Sequence, residues 1–460
     1  MNNNKLTEGK ILPTLIKLAL PIMGTSFVQM AYNMTDMIYI GRLGSSAVAG
    51  VGTAGFFTWF AMAFILISRI GAEIGVAQSI GRDNIKDAKK YAKNTLILNI
   101  ALGVIYGAFL IIFRKQLIGF FNLENKNVVD MAVDYLVIIA LGINFYFINP
   151  VFTGIYNGTG DSKTPFKFNV VGLISNIILD PILIFGLGPI PAMGVKGAAI
   201  ATVFAQIIVT ILFILSAKKS ILIKDFSFKE FDMKYMKGIF KYGLPVAFQN
   251  GLFCIFAMII ARIIAGWGEV PVAVQKVGSQ IESISWMTAG GFQTAISTFV
   301  GQNYGAGKWD RITKGYKLGM ISVGVLGVFA TVLLIFGAAP IFSFFIPEEG
   351  TLPYGIAYLK ILGVSQLFMC IEIATEGAFN GMGNTMPPSV VSTVLTGLRI
   401  PLALVLSSPN LLGLNGVWWS ISITSILKGI VLFIWFMIHL KSINSKEEKQ
   451  GKLTIVEESI

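Results

Sequence analysis

The sequence predicts an all-α polytopic membrane protein: twelve transmembrane helices in two six-helix lobes related by a parallel pseudo-two-fold repeat. Three observations carry that expectation: too few charges for a water-soluble chain, apolar runs of bilayer length, and a second half that repeats the first. Of the 460 residues 54% are apolar and 13% charged, where an ordinary soluble protein has about a quarter charged. A hydrocarbon core ~30 Å thick takes about 20 apolar residues per helix, so twelve spans leave only short loops and tails. The apolar runs do not alternate with polar residues, which excludes a barrel.

Apolar windows between polar breaks place spans at 13–41, 46–80, 91–113, 128–156, 165–187, 197–217, 238–266, 271–304, 315–345, 356–380, 388–407 and 414–440. The resulting organisation is an N-terminal lobe over 1–217, a cytoplasmic linker over 218–237, a C-terminal lobe over 238–440 and a cytoplasmic tail over 441–460. The apolar stretch after Lys10 is too long for a signal peptide and reads as a retained first span. Basic residues collect in alternate loops: Arg82 to Lys93, Lys163 and Lys167, the linker, Lys308 to Lys317, and the tail. The other side offers only Arg42, Arg114, Lys115, Lys126 and Lys196. The positive-inside bias therefore puts both termini and the linker in the cytoplasm of a plasma-membrane protein. The formal charge of +12 belongs to this topology and to anionic headgroups, not to a nucleic acid. Cys254 and Cys370 fall inside apolar runs with no second ligand at metal or disulfide spacing and read as packing residues.

A shift of 224 carries Lys17 onto Lys241, Leu20-Pro21 onto Leu244-Pro245, Gly44 onto Gly268, Gln78 onto Gln302 and Gly81 onto Gly305. A shift of 223 carries Tyr135-Leu136 onto Tyr358-Leu359 and Asn157-Gly158-Thr159-Gly160 onto Asn380-Gly381-Met382-Gly383. With six spans per half the repeat is parallel, and a cavity between the lobes is the expected working site.

Intramembrane polar groups are costly and mark candidate sites. On the first span Gln29, Asn33 and Asp36 share a face beyond Pro21, whose missing N–H permits a bend and makes it a candidate hinge. On the fifth span Asn176 and Asp180 are one turn apart, and Thr202 lies on the sixth. Two carboxylates brought together in low dielectric take up a proton or hold a cation such as Na⁺. Candidates to line a cargo cavity are Gln29 and Asn33 on the first span, Gln275, Ser279, Glu282 and Trp286 on the eighth and Glu372 and Glu376 on the tenth. Arg262, Lys276, Arg399 and Lys428 could instead neutralise those acids.

Leu20-Pro21, Asp36, the run Val300-Gly301-Gln302-Asn303-Tyr304-Gly305-Ala306-Gly307 and Asn157-Gly158-Thr159-Gly160-Asp161 together resemble the multidrug and toxic compound extrusion (MATE) transporters. The resemblance covers nearly the whole chain. It implies an antiporter, not an enzyme, that exports bulky, often cationic amphiphiles in exchange for H⁺ or Na⁺, with no cofactor besides that ion. In one prokaryotic branch it implies a coupling site at Asp36, Asn176, Asp180 and Thr202, with Tyr135 as a neighbour. A branch with an acid in the seventh span has no counterpart here, because Gly243 to Ile264 contains no Asp or Glu. The expected partners are a small-molecule cargo and the bilayer, with no obligatory protein. A lipid or lipid-linked oligosaccharide flippase of related architecture is the alternative; it would require cationic residues to hold pyrophosphate.

Overall fold

The structure is a computed structural model that describes residues 6–123, 125–218, 220–224, 227–346, 348 and 350–457. The ends of both expected tails, residues 1–5 and 458–460, lie outside the described residues. Thirteen α-helices are described: α1 (Ile11–Gly41), α2 (Ser45–Gly81), α3 (Ile85–Gly119), α4 (Lys126–Gly158), α5 (Lys163–Phe185), α6 (Val195–Ala217), α7 (Met233–Ala265), α8 (Glu269–Gly305), α9 (Trp309–Phe336), α10 (Ala338–Phe345), α11 (Leu352–Gly381), α12 (Met386–Leu406) and α13 (Leu414–Glu457). A 3-10 turn, Phe228–Glu230, precedes α7. Eleven of the helices are long and apolar enough to cross a membrane. The 37-residue α8 is not among them, because Gln275, Lys276, Ser279, Gln280, Glu282, Ser283 and Ser285 interrupt its apolar surface.

Several boundaries differ from the sequence reading; the span expected over 91–113 runs from Ile85 to Gly119. The span expected over 315–345 is broken: α9 ends at Phe336, and Gly337 separates it from the eight-residue α10. Pro340 sits in the first turn of α10, where its missing N–H interrupts no helical bond. Helix α7 starts at Met233 rather than 238, since the linker docks before it. Helix α13 continues to Glu457, through the segment expected to be a tail.

The chain divides into two compact units, one comprising Lys17–Ala247 and the other Leu6–Ile16 together with the chain from Phe248 onwards. In the first, α2 packs on α3 and α4, α3 on α4, α4 on α6 and α5 on α6. In the second, α8 packs on α9 and α11, α9 on α11, α11 on α13 and α12 on α13. The order of pairing is the same in both. Tyr106, Leu136 and Phe147 anchor one core of the first unit and Phe152 and Phe213 another; Phe342, Tyr358 and Trp418 anchor that of the second.

The repeated Asn-Gly-x-Gly motif has a physical cause that is met twice. At Gly154 and Gly158 of α4 an added Cβ would lie 2.7 Å from the Arg69 carbonyl and 2.8 Å from that of Glu73 on α2. At the equivalent Gly377 and Gly381 of α11 it would collide with the carbonyls of Gln293 and Ser297 on α8. Only glycine allows these backbones to pack so closely. Gly160 and Gly383 then end their helices at φ 86° and 76°, and each donates its N–H to the Asn157 or Asn380 carbonyl at 2.8 Å. This is the left-handed helix stop that favours glycine.

Polar docking closes the cytoplasmic edge expected for each unit. In the first, Lys93 reaches Glu230 at 2.6 Å, Asn94 donates to the Glu230 carbonyl and accepts from Asp232 N, and Tyr235 donates to Asp87 at 2.7 Å. Lys93 is buried, and its ammonium holds the Glu230 carboxyl below the usual glutamate range. In the second, Arg311 donates to the carbonyls of Leu6, Glu8 and Gly9, and Gln302 accepts from Leu6 N at 3.1 Å.

Candidate functional site

In the first unit three helices bring oxygen atoms together. Helix α1 supplies Asp36, α5 supplies Asn176 and Asp180, and α6 supplies Thr202. Asn176 Nδ2 donates to Asp180 Oδ1 at 3.2 Å, and Thr202 Oγ1 lies 3.5 Å from Asp36 Oδ2. The Asp36 and Asp180 carboxyl groups are electrostatic neighbours, with Asn176 beside both. Asn176 and Asp180 are fully buried. Pro181 directly follows Asp180 inside α5, so the Ile177 carbonyl has no helical N–H to accept.

Three buried oxygens of this group, Asp36 Oδ1, Asn176 Oδ1 and Asp180 Oδ2, have no donor among the described residues. Neither carboxyl forms an ion pair with a described Lys, Arg or His. Two neighbouring carboxyls with no cation beside them repel unless a proton or a small cation intervenes. Hard oxygen donors of this kind suit H⁺ or Na⁺, and the orphaned oxygens fit either.

Tyr135 is buried beside the group. Tyr32, one turn before Asp36, donates to the Thr202 carbonyl at 3.4 Å. Tyr32 went unseen in the sequence reading although its i−4 spacing from Asp36 signals it. Gln29 and Asn33 are exposed and take no part in the cluster. Pro21 lies within α1, and Thr25 donates to its carbonyl at 3.0 Å, a back-bond that favours bending.

The three candidate acids of the second unit are each engaged. Glu282 accepts from Tyr358 OH at 2.8 Å and Gln366 Nε2 at 2.9 Å. Glu372 pairs with Lys428 at 2.7 Å. Glu376 accepts from Gln249 at 2.9 Å and Gln293 at 3.0 Å, and Ser392 Oγ lies 3.0 Å from Glu372 and 2.9 Å from Glu376. Arg399 donates to Thr424 and Ser425. Of the four cations expected to neutralise the acids, Lys428 does so directly, while Arg262 and Lys276 are exposed. Gln275 Oε1 is buried with no hydrogen-bond partner among the described residues, Ser279 donates to the Lys276 carbonyl, and Trp286 is exposed; none of these three joins a carboxyl directly. The sequence reading missed Gln249, Gln366 and Ser392, whose partners are remote in the chain. Tyr358 was signalled by its repeat relation to Tyr135. A separate cavity of about 660 Å³, lined by Trp267, Glu269, Pro353, Tyr354 and Asn415 among others, contains none of these site residues. Cys254 and Cys370 are free and buried.

The MatE family model matches residues 21–182 and again 245–405. This chain belongs to the MatE family. The second match starts 224 residues after the first, the offset of the internal repeat, so each half carries one MatE unit. The MatE chain is 30% identical over 451 residues to the probable multidrug resistance protein NorM of Thermotoga maritima, covering 96% of this chain and 94% of that one. It is 27% identical over 433 residues to the probable multidrug resistance protein YoeA of Bacillus subtilis, covering 90% and 92%. It is 26% identical over 439 residues to a FAD transporter of Shewanella oneidensis, covering 93% and 95%. Its fold matches a crystal structure of MATE in complex with MaD3S, with a TM-score of 0.89, 23% identity and 97% and 99% coverage. It also matches an outward-facing MATE multidrug resistance transporter, with a TM-score of 0.87, 24% identity and 96% and 98% coverage. The MatE chain is thus a multi-pass membrane transporter with the MATE fold.

Proposed function

We propose that this chain is a secondary active antiporter that exports bulky, often cationic amphiphilic compounds in exchange for inward H⁺ or Na⁺ by alternating access. The single observation that carries this reading is the gathering of Asp36, Asn176, Asp180 and Thr202 from three helices, with three buried oxygens lacking a donor among the described residues. The multidrug resistance relatives support the cargo class. Twelve spans are formed by α1 to α9 and α11 to α13, and the Lys and Arg distribution puts both termini and the linker on the cytoplasmic face of the plasma membrane.

In the outward-facing state a proton or Na⁺ enters the Asp36 and Asp180 pair and removes their mutual repulsion. Helix α1 bends near Pro21, and the state that holds cargo becomes less favourable. Antiport needs ion and cargo to favour opposite states, and a coupling of about 1–3 kcal/mol changes affinity several-fold to about a hundredfold. Gln29 and Asn33, exposed on the helix that carries Asp36, are the residues proposed to meet cargo as α1 moves.

The test is transport of a fluorescent organic cation by the full chain in proteoliposomes, with Na⁺ and pH gradients imposed separately. Wild type should respond to at least one gradient, and Asp36→Asn, correctly inserted, should respond to neither. Gradient-driven export by Asp36→Asn at the wild-type rate would remove Asp36 from the mechanism.

A further inference from the structure

The second unit holds three carboxyl groups and two cations in its interior: Glu282, Glu372 and Glu376 against Arg399 and Lys428. With every group charged, one carboxylate is in excess. Hydrogen counting at Ser392 identifies it independently of charge. Its Oγ lies 3.0 Å from Glu372 Oε1 and 2.9 Å from Glu376 Oε1, but a hydroxyl has one hydrogen to donate, and ionised carboxylates only accept. If both were ionised, one of the two contacts would set lone pair against lone pair.

Glu372 is not the acid that brings the missing hydrogen, because Lys428 Nζ lies 2.7 Å from the same Oε1 and holds it ionised. Around Glu376 the elements supply neutral groups: Gln249 from α7, Gln293 from α8 and Ser392 from α12. Tyr316 of α9 is engaged with Thr375. The nearest ionisable groups are Glu372 on α11 and Lys428 on α13, which already pair with each other, while Arg399 of α12 is engaged by Thr424 and Ser425.

We propose that Glu376 is a second proton-binding site, separate from the Asp36 group. Glu376 carries the hydrogen and donates it to Ser392 Oγ; Ser392 donates its own to Glu372, which Lys428 holds ionised. Loading takes one proton from water onto Glu376, and unloading returns it, with no other bond made or broken. Glu376, Gln249 and Gln293 each keep part of their surface, which gives that proton a way out. The site does not rest on the antiport reading, because its geometry lies wholly within the second unit.

The test is infrared spectroscopy of the full-length Asp36→Asn, Asp180→Asn protein in lipid, where neither residue of the first site contributes a carboxylic acid. At neutral pH a carbonyl band of a protonated carboxylic acid should be present and should be lost on adding Glu376→Gln. A spectrum unchanged by Glu376→Gln would show that Glu376 is ionised and would overturn the proposal. Ser392→Ala in the same background covers the case where the glutamine variant does not fold. Losing the hydroxyl acceptor should shift the band to higher frequency, and an unmoved band would equally defeat the assignment.

Discussion

The carboxyl groups of the two units are solved in opposite ways by one repeated fold. In the first unit two acids lie near each other, no described cation pairs with them, and three buried oxygens lack donors among the described residues. In the second, Glu282, Glu372 and Glu376 are fixed by Tyr358, Gln366, Lys428, Ser392, Gln249 and Gln293. The repeat makes the difference specific. Shifts of 223 and 224 carry Asn176, Asp180, Thr202 and Asp36 onto Arg399, Ala403, Ser425 and Ile260. Where the first unit has an oxygen cage, the second has a guanidinium that donates to Ser425 at 3.0 Å. A tethered cation stands in the second unit where the first has only oxygen and amide groups. Duplication preserved the backbone packing, while one half left its two acids without a paired cation and the other built Lys428 and Arg399 in beside its own.

The comparison breaks most visibly in transport. Asp180→Asn should abolish gradient-driven export, as Asp36→Asn should, while the isosteric Glu372→Gln should retain it with altered rate. Proteoliposome flux of a fluorescent cation measures both. Equal loss in all three would mean that the two units share the coupling.

Stability should show the reverse asymmetry. Lys428→Met leaves Glu372 buried without its cation, a change that costs about 3–5 kcal/mol in comparable buried pairs. Adding Glu372→Gln should recover much of that loss. Asp36→Asn, which relieves a repulsion instead of breaking a pair, should leave the thermal unfolding midpoint unchanged or raised. A lower midpoint for Asp36→Asn than for Lys428→Met would invert the assignment of mobile and built-in charge.

Glycine substitutions should erase the difference between the units. Gly158→Val and Gly381→Val each push a side chain against a backbone carbonyl, and overpacking of this kind costs about 1–3 kcal/mol. Unfolding midpoints in detergent should fall by similar amounts, since both close helix pairs have the same cause.

The smallest effect is expected at the linker. Glu230→Gln removes a partly exposed pair with Lys93, worth at most about 1 kcal/mol, and should speed proteolysis of the segment around 218–232 without impairing transport. Because Lys93 lowers the Glu230 carboxyl in the folded state, the docking contribution is complete above the ordinary glutamate range near ~4. It is lost as pH falls through the lower folded value. Wild-type proteolysis should therefore approach that of Glu230→Gln only in acid.

Much of the site was legible in the sequence because its signals are local or repeated. Asn176 and Asp180 are one turn apart, Asp36 stands alone in an apolar span, and the Asn-Gly-x-Gly motif recurs at a fixed offset. Ser392 carried no such signal. It is an ordinary serine on an apolar helix until Glu372 and Glu376, sixteen to twenty residues away, close on it from another helix. Lys93 read as a loop cation and is instead buried against Glu230, 137 residues on. The break at Gly337 was equally hidden, because apolar residues continue on both sides of it.

The sequence by itself determined that this chain lives in a bilayer, that its fold is made twice, and that few carboxyl groups are available for coupling. Hydropathy, spacing and repetition are properties of the chain alone, and lipid leaves helices as the form that satisfies its backbone. Only the tertiary structure decided which acids meet, which are matched by a cation and which are left with oxygens unpaired. The energy of a buried charge depends on the partner within a few ångströms, and a linear sequence does not record that distance.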